Sequence, residues 1–572
     1  MSSAHRDATV YAHTAEALVR AYGDRDAAAL DEVNRYYGTS YSFDDLFAIV
    51  WRRIYAVRQR LTRGGPRRLQ LTEAQLLLAQ DAGFGSWDAL LLAVETGDAG
   101  VPAHAVDAAT AAVSLRRPPT MREWDELIDA IDTHGIARLD ANGYMTDDVM
   151  RRVAACPSLT SLSLGGSRQL TDEGLLALGA MPQLERLELN EYPGGRLTDR
   201  GLEVLRRLPA LRTFEMMWQK AITDAGAAHL RHCEAIEAVD LMGSPTGDGV
   251  VAALEGKPHL RRFGSGRLLT AEGVRRLHGL PRFTRWHGPR VPDGQRDASG
   301  HGARLLIDGP IGDDGIAHLA GLDGVAELDL FWHVSGVRTA SFAALAALPG
   351  LVSLAADGAL SDDEAMRHFA SIPDLRALRA QESAATDDGY EALARSRTLQ
   401  GLWGREAPHL TSRGFRALAT LPSLRALGVS LRQVDDAAVA LLPDFPSLRE
   451  LTPIGLGDEG FRHVGRCTRL ERLTCMYCRD TTDAATAHIA ALPITFYYAG
   501  LTQITDRSLD LLAGMPTLEQ VDLYECQGVT DAGVAHLARL PRLREVNLDG
   551  LPGVTLAGTK VFAPGVKVGY TT

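Results

Sequence analysis

Cys475 and Cys478 stand three positions apart, with His463 and Cys467 a short way upstream. Thiolates and imidazoles at such spacing are the ligand set of a zinc site. His229, His232 and Cys233 make a second group of the same kind. A different chemistry is offered by Glu188, Glu215 and Asp240, which recur at intervals of 27 and 25 residues. Three carboxylates brought side by side repel one another and attract a cation or an Arg/Lys-rich peptide. What these groups do depends on the elements that hold them.

Those elements repeat. From about residue 136 to 568 one phrase returns about every 24 residues, T-D-x-G-[L/V]-x-x-L-x-x-[L/C]-P-x-L-x-x-L-x-L, as in residues 171–189 (TDEGLLALGAMPQLERLEL) and 530–548 (TDAGVAHLARLPRLREVNL). A period of this length marks a solenoid, in which one turn cannot bury its apolar side alone. Counting from the Gly of T-D-x-G as an anchor, each slot has a physical task. Thr or Asp ahead of the anchor, as at Asp172 and Asp531, is expected to cap helix starts. Apolar residues at +1, +4 and +7, such as Leu175, Leu178 and Met181, give a short helix one buried stripe. Proline at +8, as at Pro182 and Pro541, ends that helix. Leucines such as Leu184, Leu187 and Leu189 then point into the core from a short strand.

The same slots absorb the metal-like groups. Cys156, Cys233 and Cys467 fall at +7, where other turns carry Met181, Leu208 or Leu540. Cys478 and Cys526 share +18, and Cys475 stands in a strand-leucine slot, as Leu523 does. His229, His318, His368, His463, His488 and His536 all fall at +3 on the helix. These residues keep the repeat rather than break it, so packing is favoured over zinc, and no metal or cofactor is expected.

The phrase resembles the cysteine-containing subclass of leucine-rich repeats, C-P-x-L-x-x-L-x-L-x-x-C-x-x-[I/L]-T-D-x-G-[L/V], and does so over about three quarters of the chain. That resemblance implies an α/β fold: a horseshoe solenoid with parallel strands on the concave side and helices on the convex side. It also implies an adaptor. Members of the subclass include substrate-recognition subunits of ubiquitin ligases, but the segment ahead of the repeats does not read as an F-box.

That segment is helical by its periodicity, over residues 15–36, 43–61, 71–82 and 87–95. Thr72 and Gln75 make a capping box for the third helix. Residues 71–95 (LTEAQLLLAQDAGFGSWDALLLAVE) resemble a short helical module that precedes ankyrin repeats in many bacterial proteins. Seven arginines between positions 52 and 68 read as a solvated helix face. The expected organisation is a helical domain over 1–96, an Ala/Gly/Pro-rich linker over 97–119, a capping helix over 120–135, and a solenoid of about 17 turns over 136–572.

Function should lie on the concave wall, where the slots +12, +14 and +16 point away from the leucines. The +14 slots run Asp140, Ser163, Glu188, Glu215, Asp240. Further along come Glu327, Asp329, Phe331 and Trp332, then Arg379, Trp403 and Arg405, and finally Asp522, Tyr524, Glu545 and Asn547. Aromatics mixed with charge are the usual make-up of binding hot spots. One break in rhythm, between Gly273 and Gly315, inserts a loop near 288–303, beside His287.

Bulk properties limit the partners. The net charge is −12 over 572 residues, and 56 of the 60 basic residues are arginine, a bias that reads as bacterial coding. An acidic chain disfavours general nucleic-acid binding. No apolar run approaches the ~18 residues of a membrane span, and the first 30 residues do not read as a secretory signal. Six scattered cysteines fit a reducing cytoplasm. Phosphate loops, GxSxG and HExxH are absent from the sequence. The sequence is therefore read as a cytoplasmic scaffold. Its concave face takes a protein or peptide, basic ones included, and its N-terminal helices position a second partner. An enzyme, or an enzyme's partner holding a peptide near the 288–303 insertion and His287, is the alternative.

Overall fold

The computed structural model describes residues 8–37, 69–82, 103–107, 110–115, 118–190, 196–287 and 302–570, with isolated residues between 41 and 94. Most of the helix expected over 43–61, the arginine run, and nearly all of the 288–303 insertion lie outside the described residues. The chain divides into two compact units, Met1–Pro281 and Arg282–Thr572.

The first unit opens with helices Ala8–Asp24, Ala27–Tyr37 and Leu71–Asp81. They share a core of Leu18, Leu30, Val33, Leu77 and Leu78. The single helix expected over 15–36 is two. Arg25 takes a left-handed φ of 52°, and Asp26 then accepts from the N–H groups of Ala28 and Ala29 to start the second. The third helix is boxed two residues earlier than expected: Glu73 Oε2 accepts from the N–H of Gln70 at 2.8 Å.

The stretch 97–119 is not a plain linker. His104–Asp107 and Ala112–Leu115 form an antiparallel hairpin, and the second strand pairs in parallel with Arg138–Asp140. Its Ala-rich composition hides an alternation in which Val113 and Leu115 are buried, so this hairpin starts the sheet. Helix Met121–His134 follows, boxed by Thr120 and Glu123 and ended by left-handed Gly135. It buries Trp124, Leu127 and Ile131.

From there the strands stack in parallel and in sequence order within each unit. In the first, Leu139, Leu162, Leu187, Phe214, Val239 and Phe263 are in register. In the second, the line runs Leu305, Leu328, Leu354, Leu378, Leu402, Leu427, Leu451, Leu473, Tyr497, Val521, Val546 and Val568. Leu187, Leu328 and Leu427 are at most 2 % exposed. At the irregular turn near Pro493, Tyr497 takes the leucine slot and is buried, while Phe496 and Tyr498 stay on the open face.

The T-D-x-G phrase works differently from the expectation. Thr171 and Thr530, not Asp172 and Asp531, are the N-caps: each hydroxyl accepts from the N–H two residues on. The aspartate reaches into the next turn. Asp172 accepts from the N–H and hydroxyl of Thr198 at 2.8 and 2.6 Å, and Asp531 does the same with Thr555 at 2.8 and 2.7 Å. The same double bond joins Asp147 to Thr171, Asp199 to Thr223, Asp387 to Thr411 and Asp506 to Thr530. The anchor must be small because that carboxylate sits beside it. A Cβ at Gly414 would lie 2.6 Å from Asp387 Oδ1, and one at Gly533 2.2 Å from Asp506 Oδ1. Where Ser508 replaces the glycine, its hydroxyl donates to Asp483 at 2.5 Å. Thr, Asp and Gly therefore form one inter-turn clasp along the helix side of each unit.

Candidate interaction face

Short strands leave alternate side chains on the side of the sheet away from the leucines. In the first unit the in-register outward line is Asp140, Ser163, Glu188, Glu215, Asp240 and Gly264. The three acids are neighbours, as their spacing implied, but they are not left alone. Arg186, two residues before Glu188, donates to Glu215 at 2.9 Å. Asn190 donates to Glu188 at 2.8 Å, and Asp240 accepts from the N–H of Met242 at 3.1 Å. The adjacent outward line includes Arg138, Arg186 and Arg262. The face thus carries an acidic rail beside a partly basic one.

In the second unit the candidates divide. Asp329 lies between Arg304 and Arg379, at 3.2 and 3.3 Å, and Arg379 also meets Asp357 at 3.5 Å. Residues 329 and 379 are two strands apart, and the intervening Ala355 is small enough to let the arginine pass over it. Glu327 is looser, 3.7 Å from Arg304. Phe331 is half-buried and stacks on Trp332, ring centroids 5.2 Å apart at 10°. Trp332 is the more presented ring, 74 % exposed. Trp403 lies flat along the sheet: a Cβ at Gly428 on the next strand would be 2.4 Å from its ring.

Toward the end, Asp522 stands in register with Tyr498 and Asn547. It accepts from the N–H of Tyr524 at 3.0 Å and from Asn547 at 3.1 Å. Burial pushes its carboxyl up, outweighing those bonds, and Asp549 and Glu545 add to the rise. Burial and Asp522 together push Tyr498 up to about 12. Tyr524 is half-buried on the same face. His287 is exposed and stands at the edge of the residues outside the description.

All six cysteines are free and buried. Cys478 Sγ donates to the carbonyl of Pro453 at 3.0 Å, and Cys526 to that of Ala499 at 3.0 Å. Burial raises both thiols to about 11. His229 is lowered by burial and then by Arg206. Among the described residues no three His, Cys, Asp or Glu side chains gather as a metal site. No described helix is long and apolar enough to cross a membrane.

Two contacts were not read from the sequence. Arg405 Nη1 donates to Tyr477 Oη at 3.1 Å from three turns away, and Arg472 lies 4.0 Å over the ring of Phe496. The one sequence signal for the first is Tyr477 itself. It holds φ +56° in a slot where Gly455, one turn earlier, has +77°.

A family model described as Leucine Rich repeat matches residues 155–179. No curated protein matches the chain. Similar solved structures include Rad7 in its complex with Elc1 from yeast, 14 % identical over 79 % of this chain and 88 % of that one, with a TM-score of 0.31. TLR13 in complex with ssRNA13 is 14 % identical over 79 % and 71 %, at 0.44. An internalin from Listeria monocytogenes is 13 % identical over 74 % and 88 %, at 0.26. With one turn matched by the family model and an in-register line of buried leucines in each unit, the chain has the fold of an α/β leucine-rich repeat solenoid.

Proposed function

We propose that this chain is a protein- or peptide-binding scaffold whose concave sheet face recognises a basic segment along Glu188, Glu215 and Asp240. The observation that carries this reading is the register: three carboxylates on three adjacent strands, spaced by about 4.8 Å per strand. Arg186 already shows the chemistry, since its guanidinium reaches an acid one strand away. An arginine or lysine of a partner would meet the same geometry, with the rail of Arg138, Arg186 and Arg262 setting direction. Phe331, Trp332, Trp403 and Tyr524 supply aromatic contact in the second unit. The N-terminal helices would position a second partner. Buried free thiols fit the cysteine-containing subclass and a reducing cytoplasm, and the net charge of −12 favours protein over nucleic acid.

The test is fluorescence anisotropy of the full chain with a labelled arginine-rich peptide and with single-stranded RNA. The expected result is salt-sensitive peptide binding that falls about tenfold or more when Glu188, Glu215 and Asp240 are changed to Arg. Unchanged peptide binding by that variant, or binding of RNA in preference to the peptide, would overturn the assignment.

A further inference from the structure

The sheet face of the second unit carries arginines with opposite fates. Arg304, Arg379 and Arg472 have carboxylate partners, at 3.2, 3.3 and 3.9 Å respectively. Arg405 and Arg432 have none within ion-pairing distance among the described residues. Arg405 instead spends one N–H on the Tyr477 hydroxyl, its guanidinium carbon 5.9 Å from that ring. Its Nε is buried and has no acceptor. Arg432 is exposed and lies over Gly455, where a Cβ would be 2.6 Å from its Cγ and 2.9 Å from its Nε.

These residues share one stretch of rim. Residues 405 and 477 are three turns apart, so their side chains must extend toward each other over the intervening turns, which hold Arg432 and Gly455. Two residues before Arg405, the Trp403 ring lies on Gly428. Tyr477 keeps its place despite a left-handed backbone that glycine adopts more cheaply.

A guanidinium whose Nε has no acceptor, and a second one with no carboxylate within ion-pairing distance among the described residues, both favour an added anion. Guanidinium forks match carboxylates, taking two oxygens in a plane, and flanking rings give the chain that bears them an apolar contact. We propose that Arg405, Arg432 and Tyr477, flanked by Trp403, form a docking site for an acidic peptide segment of a protein partner, its Asp or Glu carboxylates held by the two guanidinium groups. The site belongs to the second unit and is opposite in charge to the Glu188–Glu215–Asp240 line, so neither assignment stands on the other.

The test is selection of a random peptide library on the full chain, with the Arg405→Gln/Arg432→Gln variant as counter-selection, followed by anisotropy on the winning peptides. Winners should be rich in Asp and Glu. Their affinity should fall about tenfold or more in the double variant, since a hydrogen bond to a charged group is worth roughly 1.5–3 kcal/mol. Arg405→Lys, which keeps charge but loses the fork, should recover only part of that loss. Changing Glu188, Glu215 and Asp240 to Arg should leave these peptides bound. Winners without acids, or winners indifferent to Arg405→Gln/Arg432→Gln, would overturn the site.

Discussion

The inter-turn clasp makes a quantitative claim about Asp387 and Gly414. Asp387 is only 8 % exposed. It accepts from the N–H and hydroxyl of Thr411 at 2.8 and 2.5 Å, and from the N–H of Gly414. Bonds to a charged acceptor contribute roughly 1.5–3 kcal/mol each, but three bonds on one carboxylate are not additive. Asp387→Ala should therefore cost about 2–4 kcal/mol of local stability. Gly414→Ala should also cost, because its new methyl would stand 2.6 Å from Asp387 Oδ1 and 2.9 Å from Leu410 Cδ1. Overpacking of this kind costs about 1–3 kcal/mol. Alanine in helix Ser412–Leu418 gives back about 1 kcal/mol against glycine.

The two substitutions should not add. With Asp387 gone, the carboxylate that the methyl strikes is gone too, and Leu410 can turn its methyl aside. Gly414→Ala in the Asp387→Ala background should be neutral or slightly stabilising, a coupling of about 2 kcal/mol. Solenoid turns open locally, so the assay is hydrogen exchange followed by mass spectrometry on peptides spanning 386–418. Peptides around Thr530 and Thr555 serve as the internal reference. Additivity within about 0.5 kcal/mol would refute the clasp, because it would mean that the glycine recurs in the phrase for some reason other than the aspartate beside it.

Two further outcomes follow from the geometry. For Asp387 and Asp483, burial opposes ionisation, but the hydroxyl and N–H donors of Thr411 and of Thr505 and Ser508 outweigh it, leaving both carboxyls below the usual value of 3.8. A lowered folded pKa gives stability that is complete above the unfolded value and lost as pH falls through the folded one. The turns should hold at neutral pH and loosen in acid below that value, read by hydrogen exchange or circular dichroism. A Thr411→Val/Thr505→Val variant should lose much of this acid sensitivity, and the idea fails if its acid transition matches the parent's. Trp332 is 74 % exposed, so Trp332→Ala should move thermal stability by no more than about 0.5 kcal/mol while weakening any partner that covers the second unit's sheet face. A large drop in melting temperature would show the ring to be structural.

The architecture was legible because its signal is local and repeated. Leucine spacing placed Leu187, Leu328 and Leu427 inside, and the slots identified Cys478 and Cys526 as packing residues. The clasp was not legible because its parts are one turn apart. Within one phrase, Asp172 looks like a cap, since an aspartate ahead of a helix usually is one. Its true partner, Thr198, lies 26 residues on. The hairpin over 104–115 was missed for a different reason: alanine and glycine diluted a two-residue alternation too short to stand out. The acid line was legible as positions but not as charges, because Arg186 answers Glu215 across a strand, and that too is a contact between turns.

The same non-local grammar governs the open face. Large side chains there lean onto a small residue of the following turn. Trp403 lies on Gly428, Asp240 against Gly264, Trp218 on Gly243, Glu525 against Gly550 and Arg432 on Gly455. Each pair is a large residue and a glycine about one period apart, and neither half is informative alone. Two of the large partners, Trp218 and Glu525, sit at φ near +60°, so their backbone strain is held by the stacking of turns and not by the turn itself. A side chain kept at such a position must be worth its contact. For Trp218 and Glu525 that contact lies within the solenoid, on the glycine of the next turn. Tyr477 holds the same backbone, but its hydroxyl accepts from Arg405, three turns back, whose Nε has no acceptor. That incompletely satisfied guanidinium is the physical reason for placing a ligand there.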